Sequence, residues 1–500
     1  MHSVHDVRAG DALADHLHDA PWMDATGRAA VGFTVIDRIH LGRAPEILVV
    51  QPWHAPDRRY AVPVGVGDVP LADGAIALAD LDARLVDATR VGRLIPTPGG
   101  AVVLHGDPPP YRAAVPFDSG WSTNAVSALD LDGVLHIHKR YRVLTTDVHE
   151  PVVLARLQGT ESVPDHVANW AWVDPTGAEC PLGVLYRHVD GEPLEDLLRV
   201  NLRTLWPPLS FIAENFKTEN GTINSAVVTT QHFHELAVVL RAVGAAIRGL
   251  HRALVAHVAP RGTYDVGPCL ERTRTLLVGV LDQLNEDEHL PLDTRQAVAA
   301  ALREKVAALP ALLAATPPPP LTAGVGHGDL HLSHLLCRAS AGGGWMVSAI
   351  DISSGVINPD APGFASQTPW QDLVAVRRGL ESFAGHEAAV QDAEVLGIHY
   401  RESSLAAVLG ASGSAPTDPA SSAKSGRLFA AADLWSERAF RLVLDGYGEA
   451  DLLPALHPLW QLLHTNRMLH ELDYNLTRGR AHQVNLDVRR ALTPDDLVMR

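Results

Sequence analysis

The residues with the clearest chemical potential lie in one short segment and at the end of the strand after it. The segment is Val325-Gly-His-Gly-Asp-Leu-His331, and the apolar run 345–350 leads to Asp351. Phosphoryl transfer needs one carboxylate to orient the acceptor hydroxyl and another to hold Mg²⁺ against the nucleotide phosphates. An ordinary hairpin whose Asp residues form turns is the competing interpretation. The spacing of Asp329 and Asp351 favours phosphoryl transfer.

Three histidines of this segment offer a different chemistry. His327, His331 and His334 have spacings that zinc ligands can adopt, and imidazole is a common zinc ligand. A helix would align the first two, but the pattern here indicates a loop followed by a strand. The sequence therefore ranks a zinc-dependent hydrolase last among the functions considered.

A lysine is the second chemical signal. The chain has 41 basic residues, of which only four are lysines, and Lys139 ends an alternating strand. An ammonium group there can reach nucleotide phosphates and pair with a carboxylate on the next helix, where Glu150 is the natural candidate. An exposed lysine at a strand end is the alternative interpretation.

A helix predicted to begin at Trp370 carries two further carboxylates. Asp372 and Glu381 could line an acceptor site, because carboxylates suit sugar hydroxyls or an ammonium group. The alternative is structural, with Asp372 near the helix start and Arg377 paired with Glu381 one turn later. The sequence leaves both interpretations open.

The elements that must position these residues follow from the hydrophobic pattern. A hairpin is predicted over 125–131 and 134–139, with a helix around 149–157 and a strand over 183–189. Amphipathic helices are predicted over about 231–253 and 294–314, and further helices over 431–478. Residues 403–427 are rich in Ser, Ala, Gly and Pro and are predicted to form a flexible insertion.

The chain therefore divides into three predicted regions of an α+β protein. Residues 1–115 are β-rich with Pro and Gly turns and are predicted to form a cap domain. Residues 116–190 are predicted to form a small β-rich lobe, and residues 191–500 a large helical lobe.

Composition excludes several classes of function. The formal net charge is −17, which disfavours binding to nucleic acids or anionic membranes. We identify no signal peptide and no run of about 20 apolar residues that could span a membrane. Three widely spaced cysteines indicate buried thiols in a reducing cytoplasm.

Taken together, His327-Gly-Asp-Leu-His331, Lys139, Glu150 and Asp351 resemble the aminoglycoside phosphotransferase-like kinases. The resemblance covers about residues 120–500 and is greatest to maltokinases and actinobacterial-type glucosamine kinases. It implies a protein-kinase-like two-lobed fold with a cap domain, and a cytoplasmic monomer. It also implies ATP and Mg²⁺ as cofactors, with Mn²⁺ as an alternative, and a sugar or aminosugar as the acceptor.

The same resemblance implies a role for individual residues. Asp329 would be the catalytic base with His327 beside it, and Asp351 with His334 would hold the metal. Lys139 and Glu150 would position the phosphates, which residues 122–127 would cover. The remaining expected contacts are Ser122, Asn124 and Ser127 at the phosphates, Tyr186 and His188 in a hinge against adenine, and His331, Asp372, Glu381, Glu471 and Tyr474 at the acceptor.

This sequence departs from the family pattern at three places. His334 stands where the family has Gln or Asn, Ile352-Ser-Ser follows Asp351 in place of Phe-Glu-Gly, and His482 stands near an expected Trp. Imidazole is a poor direct ligand for Mg²⁺. Maltose as the acceptor therefore does not follow. An antibiotic-type phosphotransferase and a catalytically degenerate kinase-like binding protein are the alternatives.

Overall fold

The computed structural model describes residues 5–8, 11–42, 45–71, 76–91, 94–117, 123–215, 225–315, 322–413, 419–448 and 453–493. The chain separates into two compact units. The first comprises Met1–Val189 and Ser353–Gly355, and the second Asp190–Ile352 and Val356–Arg500. The structure is 52% helical and 21% strand, which confirms the predicted α+β class.

The first unit is built on two antiparallel sheets. One has the strand order β1-β2-β3-β4-β10 and the other β5-β6-β11-β12-β9-β8-β7. The elements are β1 (His5–Arg8), α1 (Ala12–Asp19), α2 (Ala25–Arg28), β2 (Gly32–Ile39), β3 (Glu46–Pro52), β4 (Arg59–Val64), α3 (Ile76–Val91), β5 (Leu94–Thr97), β6 (Gly100–Gly106), β7 (Tyr111–Val115), β8 (Ala125–Leu131), β9 (Val134–Arg140), β10 (Val143–Leu144), α4 (Glu150–Arg156), β11 (His166–Val173) and β12 (Glu179–Arg187).

The predicted hairpin is confirmed as β8 and β9, which pair from Ala125 with Arg140 to Leu131 with Val134. Its two turn residues, Asp132 and Gly133, have φ angles of 50° and 84°. A tight hairpin turn needs positive φ at both central positions, and Asp-Gly adopts them at low cost.

The seven-stranded sheet extends across the predicted boundary at residue 115. β6 pairs with β11, and β7 pairs with β8, so strands assigned to the cap belong to the same sheet as the hairpin. Helix α3 packs on this sheet through Leu81 and Leu85, which lie in one buried cluster with Trp170. The strands that form the sheet therefore come from both sides of residue 115, and a separate cap domain stays a prediction.

The second unit is mainly helical. Its small sheets have the orders β13-β16-β17 and β14-β15. The elements are β13 (Glu192–Pro193), α5 (Leu194–Asn215), α6 (Ser225–His257), β14 (Gly262–Thr263), α7 (Gly267–Glu286), α8 (Leu292–Ala315), β15 (Thr322–Ala323), β16 (Leu335–Ala339), β17 (Trp345–Ala349), α9 (Trp370–Leu396), α10 (Tyr400–Ala411), α11 (Pro419–Tyr447), α12 (Leu453–Thr477) and α13 (Ala481–Leu492).

The amphipathic pattern located the long helices of this unit. The predicted helices 231–253 and 294–314 lie inside α6 and α8. The apolar residues that defined the first one are all buried, namely Leu236, Val239, Leu240, Val243, Ile247 and Leu250. The spacing of apolar residues was therefore a sufficient signal here.

The flexible insertion predicted over 403–427 is wrong for the residues that the structure describes. Residues 403–411 belong to α10 and residues 419–427 to α11, whereas residues 414–418 lie outside the described part of the chain. The hydroxyl of Ser403 is buried and donates to the carboxylate of Asp392, 2.6 Å away. The composition misled because Ala is a strong helix former and a buried Ser can find a tertiary partner.

Two further observations concern cysteines and membrane spans. Cys180, Cys269 and Cys337 are buried free thiols, as predicted. Among the described residues, no helix combines the length and apolarity that crossing a bilayer would require.

Candidate active site

A buried carboxylate organises the loop that carries Asp329. Both oxygens of Asp372, at the start of α9, accept backbone N–H groups of this loop, from His327 at 2.6 Å and from Gly328 at 3.0 Å. Gly328 has φ of +91°, which a side chain would disfavour. Asp372 is only 2% exposed, so we assign it to holding the loop and not to the acceptor contact that the sequence predicted.

Asp372 is itself fixed by a histidine of α6. His251 Nε2 donates to the Asp372 carboxylate at 2.9 Å, and His251 Nδ1 lies 3.0 Å from the hydroxyl of Tyr447. Burial opposes ionisation of Asp372, but the hydrogen bond from His251 and its charge lower the pKa of the carboxyl. The loop is therefore held by an ionised acceptor, and hydrogen bonds to charged groups are the stronger ones.

His327 is an internal support of the same loop. Its side chain is fully buried, and its Nε2 donates to the carbonyl of Ile350 at 2.8 Å. Its Nδ1 accepts the backbone N–H of Asp329 at 3.3 Å. Burial lowers the pKa of His327, which agrees with a neutral ring that has one donor and one acceptor. The residue thus joins the loop to the strand that leads to Asp351.

Asp329 is a partly exposed carboxylate with two cationic neighbours. Its Oδ1 lies 3.0 Å from His331 Nε2 and 3.0 Å from Arg467 Nη2. Burial opposes its ionisation, but the hydrogen bond and charge of His331 and the charge of Arg467 hold its pKa well below the usual range. Burial also opposes protonation of His331, yet Asp329 raises the pKa of that ring. Both of these contacts are made to Oδ1.

His334 connects the two predicted catalytic carboxylates. Its Nδ1 donates to the backbone carbonyl of Asp329 at 2.8 Å, and its Nε2 lies 3.5 Å from Asp351 Oδ2. A hydrogen bond at Nδ1 leaves the lone pair of a neutral ring at Nε2, the usual arrangement of a metal-binding histidine. The backbone of Asp351 has φ of 60°, a left-handed conformation that Asp tolerates better than most residues.

These residues fit a divalent cation only in part. Asp351 supplies a carboxylate, which Mg²⁺ prefers, whereas His334 supplies an imidazole, which Mn²⁺ accepts more readily. Among the described residues, no group of three or more His, Cys, Asp or Glu side chains is arranged to hold a metal. Any ion bound here would therefore need oxygen atoms from another source, such as nucleotide phosphates.

Arg467 is linked to a buried ionic network. Its Nε donates to Glu471 at 2.7 Å, one turn along α12, and Arg378 Nε donates to the other oxygen of Glu471 at 3.0 Å. Burial opposes ionisation of Glu471, but Arg378 and Arg467 lower its pKa. Glu471 was predicted at the acceptor. In the structure it instead fixes Arg467, which in turn contacts Asp329.

Glu381 and Tyr474 were also predicted at the acceptor. Glu381 is buried and accepts from Arg377 and Arg378, each at 2.8 Å, and from His464 at 3.1 Å. The alternative interpretation of an Arg377–Glu381 pair is thus confirmed, and Glu381 is a buried ion-pair residue. The ring of Tyr474 lies 5.4 Å and 5.0 Å from the guanidinium groups of Arg478 and Arg480. Its acceptor role stays a prediction.

The predicted contact between Lys139 and Glu150 is present in the first unit. Lys139 Nζ lies 2.6 Å from Glu150 Oε2, and the same oxygen accepts the hydroxyl of Tyr141 at 2.6 Å. The side chains of Lys139 and Glu150 are 5% and 3% exposed, which excludes the exposed strand-end lysine. A buried ion pair of this geometry holds the ammonium group in one position.

The other predicted nucleotide contacts have different outcomes. Ser122 lies outside the described residues, and Asn124 is partly buried just before β8. The hydroxyl of Ser127 donates to Asp82 at 2.6 Å, so this side chain is directed to an internal carboxylate and not to phosphate. Tyr186 is buried in β12, and the backbone N–H of His188 donates to Leu135. Their roles against adenine stay predictions.

Two site residues were missed from the sequence. Arg467 contacts Asp329, and its position four residues before Glu471 was a usable signal for an ion pair on one helix face. His251 donates a hydrogen bond to Asp372, which lies 121 residues later in the sequence. No local sequence pattern predicts this contact.

Comparison with known proteins finds a family match over part of the chain. Residues 138–351 match the model of the phosphotransferase enzyme family, APH. The matched segment begins one residue before Lys139 and ends at Asp351. The predicted resemblance to this family is confirmed for the matched segment. The sequence has no significant match among curated proteins.

Solved structures match this chain at low identity. A glucosamine kinase (crystal form B) is 16% identical, with 96% of this chain and 97% of that chain covered and a TM-score of 0.50. A glucosamine kinase in complex with glucosamine, ADP and inorganic phosphate is 16% identical, with coverages of 94% and 95% and a TM-score of 0.48. A spectinomycin phosphotransferase, in complex with ADP and spectinomycin, is 11% identical, with coverages of 79% and 93% and a TM-score of 0.36.

Replacing Asp329 tests its role in turnover. We expect Asp329→Asn to lower kcat by at least about 10²-fold, because the amide cannot accept the proton of the acceptor hydroxyl. ATP affinity, measured by calorimetry, should remain close to that of the wild type. Asp360→Asn, at an exposed position, is the matched control and should retain full activity. Comparable kcat values for both variants would contradict the assignment.

Arg467→Met tests the contact that orients Asp329. We expect kcat to fall by about 10–100-fold because the carboxylate loses its fixed position. Asp329 must be ionised to act, so activity is lost as pH falls through its pKa. Loss of the Arg467 charge raises that pKa, and the acidic limb of the pH–kcat profile should shift to higher pH. Arg467→Lys keeps the charge and should shift the limb less. An identical limb in both variants would exclude this role.

His334→Gln tests the metal ligand. An amide oxygen suits Mg²⁺ better than imidazole does, so the ratio of kcat/KM with Mn²⁺ to that with Mg²⁺ should fall in the variant. The measurement is a titration of activity with each ion at saturating ATP. His399→Gln, at the exposed start of α10, serves as the control and should leave the ratio unchanged. Equal ratios in the wild type and His334→Gln would identify His334 as a packing residue.

Proposed function

We propose that this chain, whose residues 138–351 match the phosphotransferase enzyme family, transfers the γ-phosphoryl group of ATP to a hydroxyl of a sugar or aminosugar. The proposal is carried by His334, which contacts the backbone of Asp329 at 2.8 Å and the carboxylate of Asp351 at 3.5 Å. One carboxylate for the acceptor and one for the metal are thereby held in a single arrangement, as phosphoryl transfer requires.

In this proposal Asp329 receives the proton of the acceptor hydroxyl. Oδ1 is engaged by His331 and Arg467, so Oδ2 is the oxygen that accepts the hydrogen bond from the hydroxyl. The O–H bond breaks as the acceptor oxygen bonds to phosphorus and the bond to ADP is released. A carboxylate with a lowered pKa is a weak base, which suits a loose transition state in which orientation matters more than early proton removal.

The other residues hold the phosphate donor. A divalent ion bound to Asp351 would neutralise charge on the β- and γ-phosphates. His334 would contact that ion directly or through water, and Asp351 would be its main ligand. Lys139, fixed by Glu150, would place its ammonium group on the phosphates. Tyr186 and His188 would contact the adenine, with Asn124 near the phosphates.

The acceptor class rests on the sequence resemblance to maltokinases and glucosamine kinases. One of the matched structures is a glucosamine kinase. At 16% identity, this similarity is evidence for the fold and not for the substrate. The same resemblance supports an assignment of residues 116–190 to ATP binding and of residues 191–500 to a helical lobe with the catalytic loop and the acceptor site, in a cytoplasmic monomer. The presence of Asp329 and Asp351 together with the Lys139–Glu150 pair favours a catalytic kinase over a degenerate one.

A screen for ADP release tests the activity and the acceptor together. Sugars, aminosugars and aminoglycosides are offered with ATP and with Mg²⁺ or Mn²⁺, and the product is checked by mass spectrometry for one added phosphoryl group. We expect ADP release that depends on a sugar or aminosugar, and its loss in Asp329→Asn.

The outcomes separate the alternatives. Product formed only from aminoglycosides would support an antibiotic-type phosphotransferase and reject the sugar acceptor. ATP binding without any acceptor-dependent ADP release would support the degenerate kinase. Product formation that persists in Asp329→Asn would reject the assigned base.

A further inference from the structure

The first unit contains a cavity that the phosphotransferase chemistry does not use. Its volume is about 230 Å³, larger than the ~150 Å³ apolar cavity known to accept a benzene ring. Apolar side chains form most of its wall, among them Leu78, Leu85, Trp170 and Leu182. The exposed residue Pro21 also lines it, so the cavity reaches the surface beside that residue.

Two of the polar side chains that line this cavity have buried polar atoms without a partner in the described part of the chain. Arg140 is 7% exposed and His138 is fully buried. Among the described residues, Arg140 Nη1 and His138 Nε2 have no hydrogen-bond partner. A buried polar group without a partner costs about 1–3 kcal/mol and more when it is charged. A ligand or solvent that supplied an acceptor to Arg140 would remove this cost.

A carboxylate behind the two side chains holds them in place. Asp82 on α3 is fully buried, and it accepts from His138 Nδ1 at 2.9 Å and from the Ser127 hydroxyl at 2.6 Å. Arg140 Nε lies 3.5 Å from the same carboxylate. Burial opposes ionisation of Asp82, but the charges of Arg140 and His138 lower its pKa. The site is therefore built and does not depend on flexible surface residues.

The charge of the cavity favours an anion. Arg142 also lines it and is 7% exposed, with its guanidinium 5.1 Å from the ring of Trp22. No acidic side chain is found among the described residues that line the wall. Asp82 lies behind the wall and contacts Arg140. The cavity therefore combines a polar end that carries two guanidinium groups with an apolar body.

The two cavity residues His138 and Arg140 lie on the opposite face of β9 from Lys139, although Tyr141, which also lines the cavity, donates to Glu150. Successive side chains of a strand point to opposite faces of its sheet, so His138 and Arg140 lie on one face of β9 and Lys139 on the other. Lys139 contacts Glu150, whereas His138 and Arg140 contact Asp82.

From these observations we infer that this cavity is a second ligand site, which binds a small carboxylate with an apolar body. The carboxylate accepts hydrogen bonds from Arg140, and an aromatic or short aliphatic group fills the space lined by Leu78, Leu85, Trp170 and Leu182. A charge-assisted hydrogen bond to a desolvated guanidinium supplies the selectivity for an anion over a neutral analogue.

Calorimetry on the full chain, with MgATP present, tests this site. The probes are benzoate, phenylacetate and hexanoate, each compared with its neutral amide. We expect saturable binding of at least one carboxylate, with a Kd about tenfold or more below that of its amide. Arg140→Met should abolish this difference. Leu78→Trp fills the cavity without a change of charge and should abolish binding of both forms.

Arg187→Met is the matched control, because Arg187 is exposed on the neighbouring strand β12 and should leave binding unchanged. Circular dichroism establishes that each variant is folded. If Arg140→Met does not fold, probe binding by Leu78→Trp tests the inference. The inference is overturned if no probe binds saturably, if the amides bind as tightly as the carboxylates, or if binding survives in Leu78→Trp. Probe binding that appears only when MgATP is left out would place the probe at the nucleotide site and would also overturn the inference.

Discussion

The carboxylate of Asp372 is the constraint on which the candidate active site depends. It receives two backbone N–H groups from the loop of His327 and Gly328 and a ring N–H from His251. Helices α6 and α9 are thereby joined to the loop, and the loop presents Asp329. Hydrogen bonds to a buried charge contribute roughly 1.5–3 kcal/mol each, and the charge would be costly to bury without them. Buried groups, which are shielded from solvent, therefore fix the position of Asp329.

A second set of ion pairs sets the orientation of Asp329 from its exposed side. Arg467 contacts Asp329 and Glu471, and Glu471 also contacts Arg378, whose Nη2 lies 2.5 Å from Asp487. Buried ion pairs add little net stability, because desolvation offsets much of the attraction. Their effect here is geometric. Each guanidinium contacts two or more carboxylates, so Arg467 has a defined direction. In the proposed reaction, Asp329 would present Oδ2 to the acceptor.

The first unit uses the two faces of one strand for different purposes. On one face of β9, Lys139 is paired with Glu150, and on the other face His138 and Arg140 are held by Asp82. The alternation of side chains makes this division unavoidable, because neighbouring residues cannot share a face. Helix α3 supplies Asp82, so residues assigned from sequence to the cap also support the sheet that carries Lys139. A single hairpin thereby carries both the predicted phosphate contact and part of the cavity wall.

The sequence by itself determined the strands, helices and turns that depend on residues close together in the chain. The hairpin that carries Lys139, the helix that carries Glu150 and the loop that carries Asp329 were all predictable, because turn chemistry and apolar spacing act over a few residues. The tertiary structure alone decided which polar groups become partners. Asp372 and Glu381 looked equally suited to a substrate or to a structural pair, and their burial among His251, Arg378 and His464 settled the question. The partner of a buried charge comes from wherever the chain packs, and no local spacing records that position.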